Sequence, residues 1–558
     1  MDTPAFVNIS SCLTDMAGRQ PHSLAIIFPE GRDRSGRVSY THYTFSQLDH
    51  ESDLIASGLE HAGVIRGTRT ALMVTPSLEF FALTFALFKA GAVPVLIDLG
   101  IGARNIGNCL LEAQPEAFIG IPKAHLARVL LGWGKKTVRI NITVGNRFGW
   151  GGTTLAKVRA QGEGGTFSPA VTGRNETAAI LFTSGSTGPP KGAVYTHGNF
   201  AAQVDLLRNL YSIAPGEIDL PTFPLFALFA PALGMTAVIP DMDFTRPADV
   251  DPRKIIEAVE NFGVTTMFGS PALINRVGRF GNEHGVKLPS LKRVISAGAP
   301  VPPAVLERFS AMLSPEAEIF TPYGATEALP VCSIGSKEIL SETRKITDAG
   351  GGTCVGQPAP GVRLEIIGIT DEPIPLWDDS LRVPQGTIGE LVVQGPQVTS
   401  AYFNRPDATL LAKISDPARD GFLHRMGDIG GMDDRGRIWF CGRKSHRVVT
   451  PAETLFTIPC EAVFNTHPQV FRTALVGIGP AGEQLPVLCV ELEKGIPADH
   501  EKIRGELREI ARAHLHTVTI DTFLFHPAFP VDIRHNAKIF REKLAEWAAE
   551  MVKKGAAR

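Results

Sequence analysis

Short apolar runs alternate with helix-length stretches along most of the chain, and that alternation limits the possible folds more than any other feature. FSQLDHESDLIASGLEHA (45–62) has apolar residues near helical spacing, and TALMVT (70–75) is a strand-length apolar run. LEFFALTFALFK (78–89) is helical in length, Gly91 follows as a stop signal, and AVPVLI (92–97) is again strand-like. The pattern returns at 255–262 then 265–268, and at 305–313 then 318–321. Strand–helix–strand repetition predicts a largely parallel sheet covered by helices, an α/β fold. After about residue 352 the style changes: 364–369, 389–394 and 437–441 read as strands joined by turns, so a smaller β-rich unit is expected at about 353–442. Beyond it, strands at 473–478 and 486–492 and helices at 501–514 and 538–551 predict a small α+β domain. The boundary falls at 442–445, dividing residues 1–442 from residues 443–558.

The 558 residues carry 55 Lys+Arg against 57 Asp+Glu, a net charge of −2. A balance so close to zero offers no electrostatic reason to expect nucleic acid or an acidic membrane as partner. The seven cysteines stand singly, with no CxxC pair, which argues against a disulfide framework or zinc site and for a reducing cytoplasm. The opening residues lack a basic stretch followed by an apolar one, so no signal peptide is expected. LPTFPLFALFAPALGMTAVIP (220–240) is uncharged over about the length a bilayer requires. Pro221, Pro224, Pro231 and Pro240 interrupt it, and a proline inside a helix costs about 3 kcal/mol. A buried turn-and-helix segment is therefore expected, not a membrane span.

The chemistry begins at LFTSGSTGPPKG (181–192), where a strand-like run feeds a loop dense in glycine and hydroxyl groups. Gly185 and Gly188 let backbone N–H groups approach phosphate oxygens. Thr183, Ser184, Ser186 and Thr187 add hydroxyl donors and Lys191 a positive charge, so a nucleotide triphosphate is the expected ligand. The loop is not of the GxxxxGK[ST] kind, because Gly192 follows Lys191.

TSGSTGPPKG resembles the phosphate-loop signature of the adenylate-forming enzymes, which include acyl-CoA synthetases, peptide-synthetase adenylation domains and firefly luciferases. Further motifs follow in that family's order: AGAP (297–300), YGATE (323–327), VGQPAPG (355–361), RMGD (425–428), GR (442–443) and NAK (536–538). The resemblance implies a large N-terminal AMP-binding domain, a small mobile C-terminal lid, and activation of a carboxylate by ATP with Mg²⁺. It implies that Tyr323 and Gly324 lie against adenine, with Gly298, Ala299 and Pro300 on the other side. Thr326 would contact phosphate, and Glu327 would hold Mg²⁺, a hard cation suited to carboxylate oxygen. Asp428 would accept the ribose hydroxyls and Arg443 would contact ribose or phosphate. Lys538 would offset charge in the transition state.

The chain departs from the common pattern in three places. Most acyl-CoA synthetases carry an aromatic-His element where this chain has the uncharged FPLFALFAPALG. Phe226, Ala227, Leu228 and Phe229, with His197 and Gly269, are the candidate acyl-pocket residues, and each buried CH₂ contributes about 0.8 kcal/mol. The hinge reads GRKSHRV, and VTPAETLFTI (449–458) replaces the usual basic-Gly-Tyr stretch that helps place the CoA thiol. Together with VDIRHNAKIFREKL (531–544), these features resemble the olefin β-lactone synthetases. That likeness implies a long-chain 2-alkyl-3-hydroxy acid as substrate, whose own 3-hydroxyl closes the ring. It also implies a neighbouring thiolase, reductase and lactone decarboxylase. A fatty acyl-CoA synthetase or acyl-AMP ligase is the alternative. His197, His446 and His535 are candidate bases, none of them assigned.

Overall fold

A computed structural model describes residues 7–164, 167–182, 189–419, 421–493, 495, 499–531 and 538–555. The phosphate-loop residues Thr183, Ser184, Gly185, Ser186, Thr187 and Gly188 lie outside the described residues, as do His535 and Asn536.

The expected helices form where local chemistry starts and stops them. Thr44 and Gln47 make a capping box that opens helix Phe45–His61. The Ser77 hydroxyl accepts from Phe80 N–H at the start of helix Leu78–Lys89. That second helix is apolar nearly all round and is accordingly buried from Phe80 onward. Its last residue, Lys89, is fully buried yet satisfied, with Nζ 2.7 Å from Asp49 Oδ1 and 2.6 Å from Asp53 Oδ1 on the preceding helix. Helix Pro252–Phe262 begins with Asp251 as cap and proline at its first turn, and ends at Gly263 in the left-handed region.

Two large sheets carry the first part of the chain. The seven-stranded sheet runs in the order Thr153–Thr154, Ile140–Thr143, Ala117–Gly120, Arg69–Met73, Val93–Ile97, Thr177–Phe182, Gly192–Thr196. It is parallel except for its last pair. In the fourteen-stranded sheet, strands from Leu24–Arg32 through Thr236–Val238, Ile218–Pro221, Thr266–Phe268 and Arg293–Ile295 to Glu318–Ala325 pair in parallel. The β-rich stretch is not a detached unit. Strand Ala328–Gly335 pairs antiparallel with Thr353–Pro358, so the later antiparallel strands continue the same sheet.

The Pro-broken run folds as two short helices, Pro224–Ala227 and Phe229–Leu233, ended by Gly234. No helix among the described residues is long and apolar enough to cross a membrane. Toward the C-terminus, Val470–Ile478, Leu485–Leu492 and Thr522–Phe525 form a three-stranded sheet. Helices Thr457–Phe464, His500–Ala513 and Arg541–Lys553 accompany it, and its two apolar clusters draw only on residues of that segment. The last helix starts at Arg541, so Lys538 stands in the approach to it and does not open it.

Candidate active site

A cavity of about 1770 Å³ lies between the large sheets and the C-terminal segment, and most of the motifs converge on it. Gly298, Ala299 and Pro300 form one wall beside Tyr323, Gly324, Thr326 and Glu327. Lys191, Asp428, Arg443 and Lys538 face the same space. The loop at Gly298 has φ +100°, a conformation L side chains rarely adopt. A Cβ at Gly324 would stand 2.5 Å from the Ala328 carbonyl oxygen, so the YGATE turn requires glycine there.

Strand Gly421–Met432 presents Asp428, and its neighbour Ile438–Arg443 presents Arg443 directly across, because the two residues pair in register. Asp428 is 3% exposed. Its Oδ2 accepts from Tyr323 OH at 2.7 Å, and its Oδ1 lies 3.1 Å from Arg443 Nη1. That contact is an ion pair without hydrogen-bond alignment, and Oδ1 accepts no hydrogen bond among the described residues. Burial pushes the Asp428 carboxyl up, while Arg443, Tyr323 and Lys538 pull it back. A buried carboxylate oxygen left unsatisfied beside a guanidinium suits a ligand hydroxyl.

Glu327 is held from behind. Its Oε1 accepts from Tyr402 OH at 2.6 Å, and its carbonyl oxygen accepts from Thr399 N–H at 2.9 Å and Thr399 Oγ1 at 3.2 Å. Tyr195 OH donates to the carbonyl oxygen of Thr326. Lys191 Nζ stands 5.0 Å from the centre of the Tyr402 ring, so one tyrosine touches both the phosphate-loop lysine and Glu327. Deeper still, Lys413 donates to the Thr399 carbonyl oxygen, and burial lowers its pKa to about 7 despite Glu327. The motif residues gave no sign of Tyr402, Lys413, Tyr195 or Thr399, since each acts through a partner far away in sequence. Among the described residues no group of three or more His, Cys, Asp or Glu could form a metal cage. The Glu327 carboxylate is a hard oxygen donor of the kind Mg²⁺ takes, so the residue present fits that ion.

The far end of the cavity is apolar, lined by Phe85, Phe88, Leu225, Phe226, Leu228 and Phe229. Phe226 packs edge-on against Phe223 and Phe268, with ring centroids at 5.0 and 4.7 Å. Three expected pocket residues stand behind this wall. Ala227 is the buried face of its short helix. Gly269 packs against helix Pro271–His284, where a Cβ would meet Ile274 at 2.9 Å. His197 is fully buried, its Nδ1 accepts from Ile9 N–H at 3.2 Å, and its ring meets Phe88 edge-on. Burial lowers its pKa to about 4, so it is neutral. His446 does line the cavity, with its pKa lowered to about 3 by burial and by Arg541 and Arg443.

Fold and cavity together define an adenylate-forming enzyme. The chain belongs to the AMP-binding enzyme family, whose model matches residues 13–403. It is 52% identical over 548 residues to an olefin beta-lactone synthetase of Xanthomonas campestris pv. campestris, covering 97% of this chain and 98% of the relative. It is 50% identical over 554 residues to one of Stenotrophomonas maltophilia, covering 98% and 99%. An amide bond synthetase from Marinactinospora thermotolerans shares the fold, with a TM-score of 0.77 at 21% identity over 97% of this chain and 99% of that one.

Proposed function

We propose that the protein activates a β-hydroxy acid with ATP and closes it to a β-lactone. The observation that carries this reading is near-full-length 52% identity to an olefin beta-lactone synthetase, extending through the segment that bears Lys538. In the first step a substrate carboxylate oxygen bonds to the α-phosphorus and pyrophosphate leaves. In the second, the 3-hydroxyl oxygen attacks the acyl carbon, its proton departs, and AMP leaves with the electron pair of the broken C–O bond. No thiol enters the balance.

On this reading Tyr323 and Gly298–Pro300 flank adenine, Asp428 takes the ribose hydroxyls beside Arg443, and Thr326 meets phosphate with Lys191 and the loop 183–188. Bound Mg²⁺ would supply charge neutralisation at the phosphates, held on the protein side by Glu327. Lys538 places its ammonium where negative charge builds in the first step. Holding both reacting groups of one substrate in one cavity supplies proximity for ring closure. The phenylalanine-lined end suits the alkyl chains of a long-chain 2-alkyl-3-hydroxy acid. Residues 1–442 form the AMP-binding body and 443–558 the lid. Their work is cytoplasmic and lies between enzymes that make the hydroxy acid and one that decarboxylates the lactone.

The test supplies such an acid with ATP and Mg²⁺ and without CoA, and identifies products by NMR. Lactone with stoichiometric AMP and pyrophosphate is expected. Turnover that requires CoA and yields a thioester would refute the proposal in favour of an acyl-CoA synthetase.

A further inference from the structure

The chain-wide charge balance conceals one lopsided surface. From residue 117 to residue 156 the chain has no carboxylate, and its Lys and Arg are Lys123, Arg128, Lys135, Lys136, Arg139 and Arg147. None of these six forms an ion pair among the described residues, whereas Arg and Lys elsewhere are paired repeatedly. On the N-terminal side the nearest carboxylates in sequence are already engaged, Glu112 by Arg405 and Glu116 by Arg69.

The same surface exposes large apolar side chains. Helix Pro122–Leu131 turns His125 inward, where Nε2 meets the Ile142 carbonyl at 3.0 Å and the ring stacks on Trp150 at 5.5 Å. Leu126, Val129, Leu130 and Leu131 are left 52–73% exposed. Phe148, 61% exposed, stands 5.2 Å from Trp150 and so joins the same patch. Lys123 and Lys135–Lys136 bracket the apolar residues at either end.

We propose that this face docks on an anionic phospholipid bilayer. An outward row of leucines inserts at the level of the acyl-chain boundary, while long basic side chains reach back to the headgroup charge. Unpaired cations with no acid among them match a uniformly negative surface, and the helix lies in its plane without crossing it. A nucleic acid would meet the cations but gain nothing from five exposed apolar side chains.

The experiment is sedimentation of the full chain with vesicles of equal phosphatidylglycerol and phosphatidylcholine, against vesicles of phosphatidylcholine alone. Binding to the anionic vesicles, weakened by salt, is expected. Each basic side chain near such a surface contributes about fivefold in partition, so K135E/K136E/R139E should lose at least about a hundredfold. L126S/L130S should lose at least about tenfold through the apolar contribution. Both variants should keep wild-type pyrophosphate exchange with a water-soluble acid, showing that they fold. Absence of binding to anionic vesicles, equal binding to both vesicle types, or binding unmoved by either variant would overturn the proposal. So would variants that alter the oligomeric state of a chain that binds no vesicles.

Discussion

Replacing Tyr402 by phenylalanine isolates a single hydrogen bond at the heart of the cavity. The hydroxyl donates to Glu327 Oε1 at 2.6 Å, a short bond to a charged acceptor. The ring would stay, so the contact with Lys191 at 5.0 Å would be retained. Hydrogen bonds to charged groups contribute about 1.5–3 kcal/mol, which converts to about a 10- to 150-fold effect. Glu327 remains anchored through its backbone by Thr399, so the carboxylate would swing while the chain stays in place. If Glu327 holds Mg²⁺, Y402F should lower kcat/KM for pyrophosphate exchange by that factor, and raised Mg²⁺ should recover part of it. Tyr402→Leu should lose more, because it also removes the face under Lys191. The assay is exchange of labelled pyrophosphate into ATP across a Mg²⁺ titration. Exchange in Y402F at the wild-type rate and with the wild-type Mg²⁺ dependence would refute the reasoning.

If Lys538 makes its contact in the transition state, Lys538→Ala should reduce adenylation sharply while ATP binding measured by calorimetry stays near wild type; equal loss of both would place Lys538 in ground-state binding. Asp219, buried on strand Ile218–Pro221, has its carboxyl raised to about 8 by burial. The protonated form is the one the fold favours, so its stabilisation is complete below the unfolded value near 4 and is lost as pH rises toward 8. Asp219→Asn should therefore raise the melting temperature at pH 8 and flatten its decline between pH 4 and 8; parallel melting profiles of variant and wild type would show that the carboxyl does not titrate there.

Much of this architecture could be read from local pattern. Helix Leu78–Lys89 sits where its apolar run and Gly91 put it, and strand Gly389–Gln394 matches its expected bounds residue for residue. These elements are set by capping, periodicity and stop signals within a few residues of themselves. The order of the strands was not legible, because pairing of Ala328–Gly335 with Thr353–Pro358 depends on the whole sheet. The cavity divides the same way. Gly298, Tyr323, Asp428 and Arg443 belong to short motifs with a chemical signature, and they converge. Tyr402 and Lys413 carry no such signature, and their meaning arises only when strands far apart in sequence bring them behind Glu327. The sequence neighbours of His197 leave a structural or a substrate-proximal place open, and the start of its helix turns the ring into the packing around Ile9.

One buried carboxylate bears on how the enzyme can move. Glu390, 1% exposed, takes Arg425 through both oxygens at 3.2 and 2.6 Å and also meets Lys444 Nζ at 3.2 Å. Stripping a buried acid of its sole partner costs about 3–5 kcal/mol, which would clamp the junction shut. With two cations on one acid, Lys444 can leave and Arg425 still neutralises the charge. The exposed Asp371, which meets both Lys444 and Arg447, loses those contacts into water at little expense. The contact between Lys444 and Glu390 can thus break without leaving a bare charge in the interior.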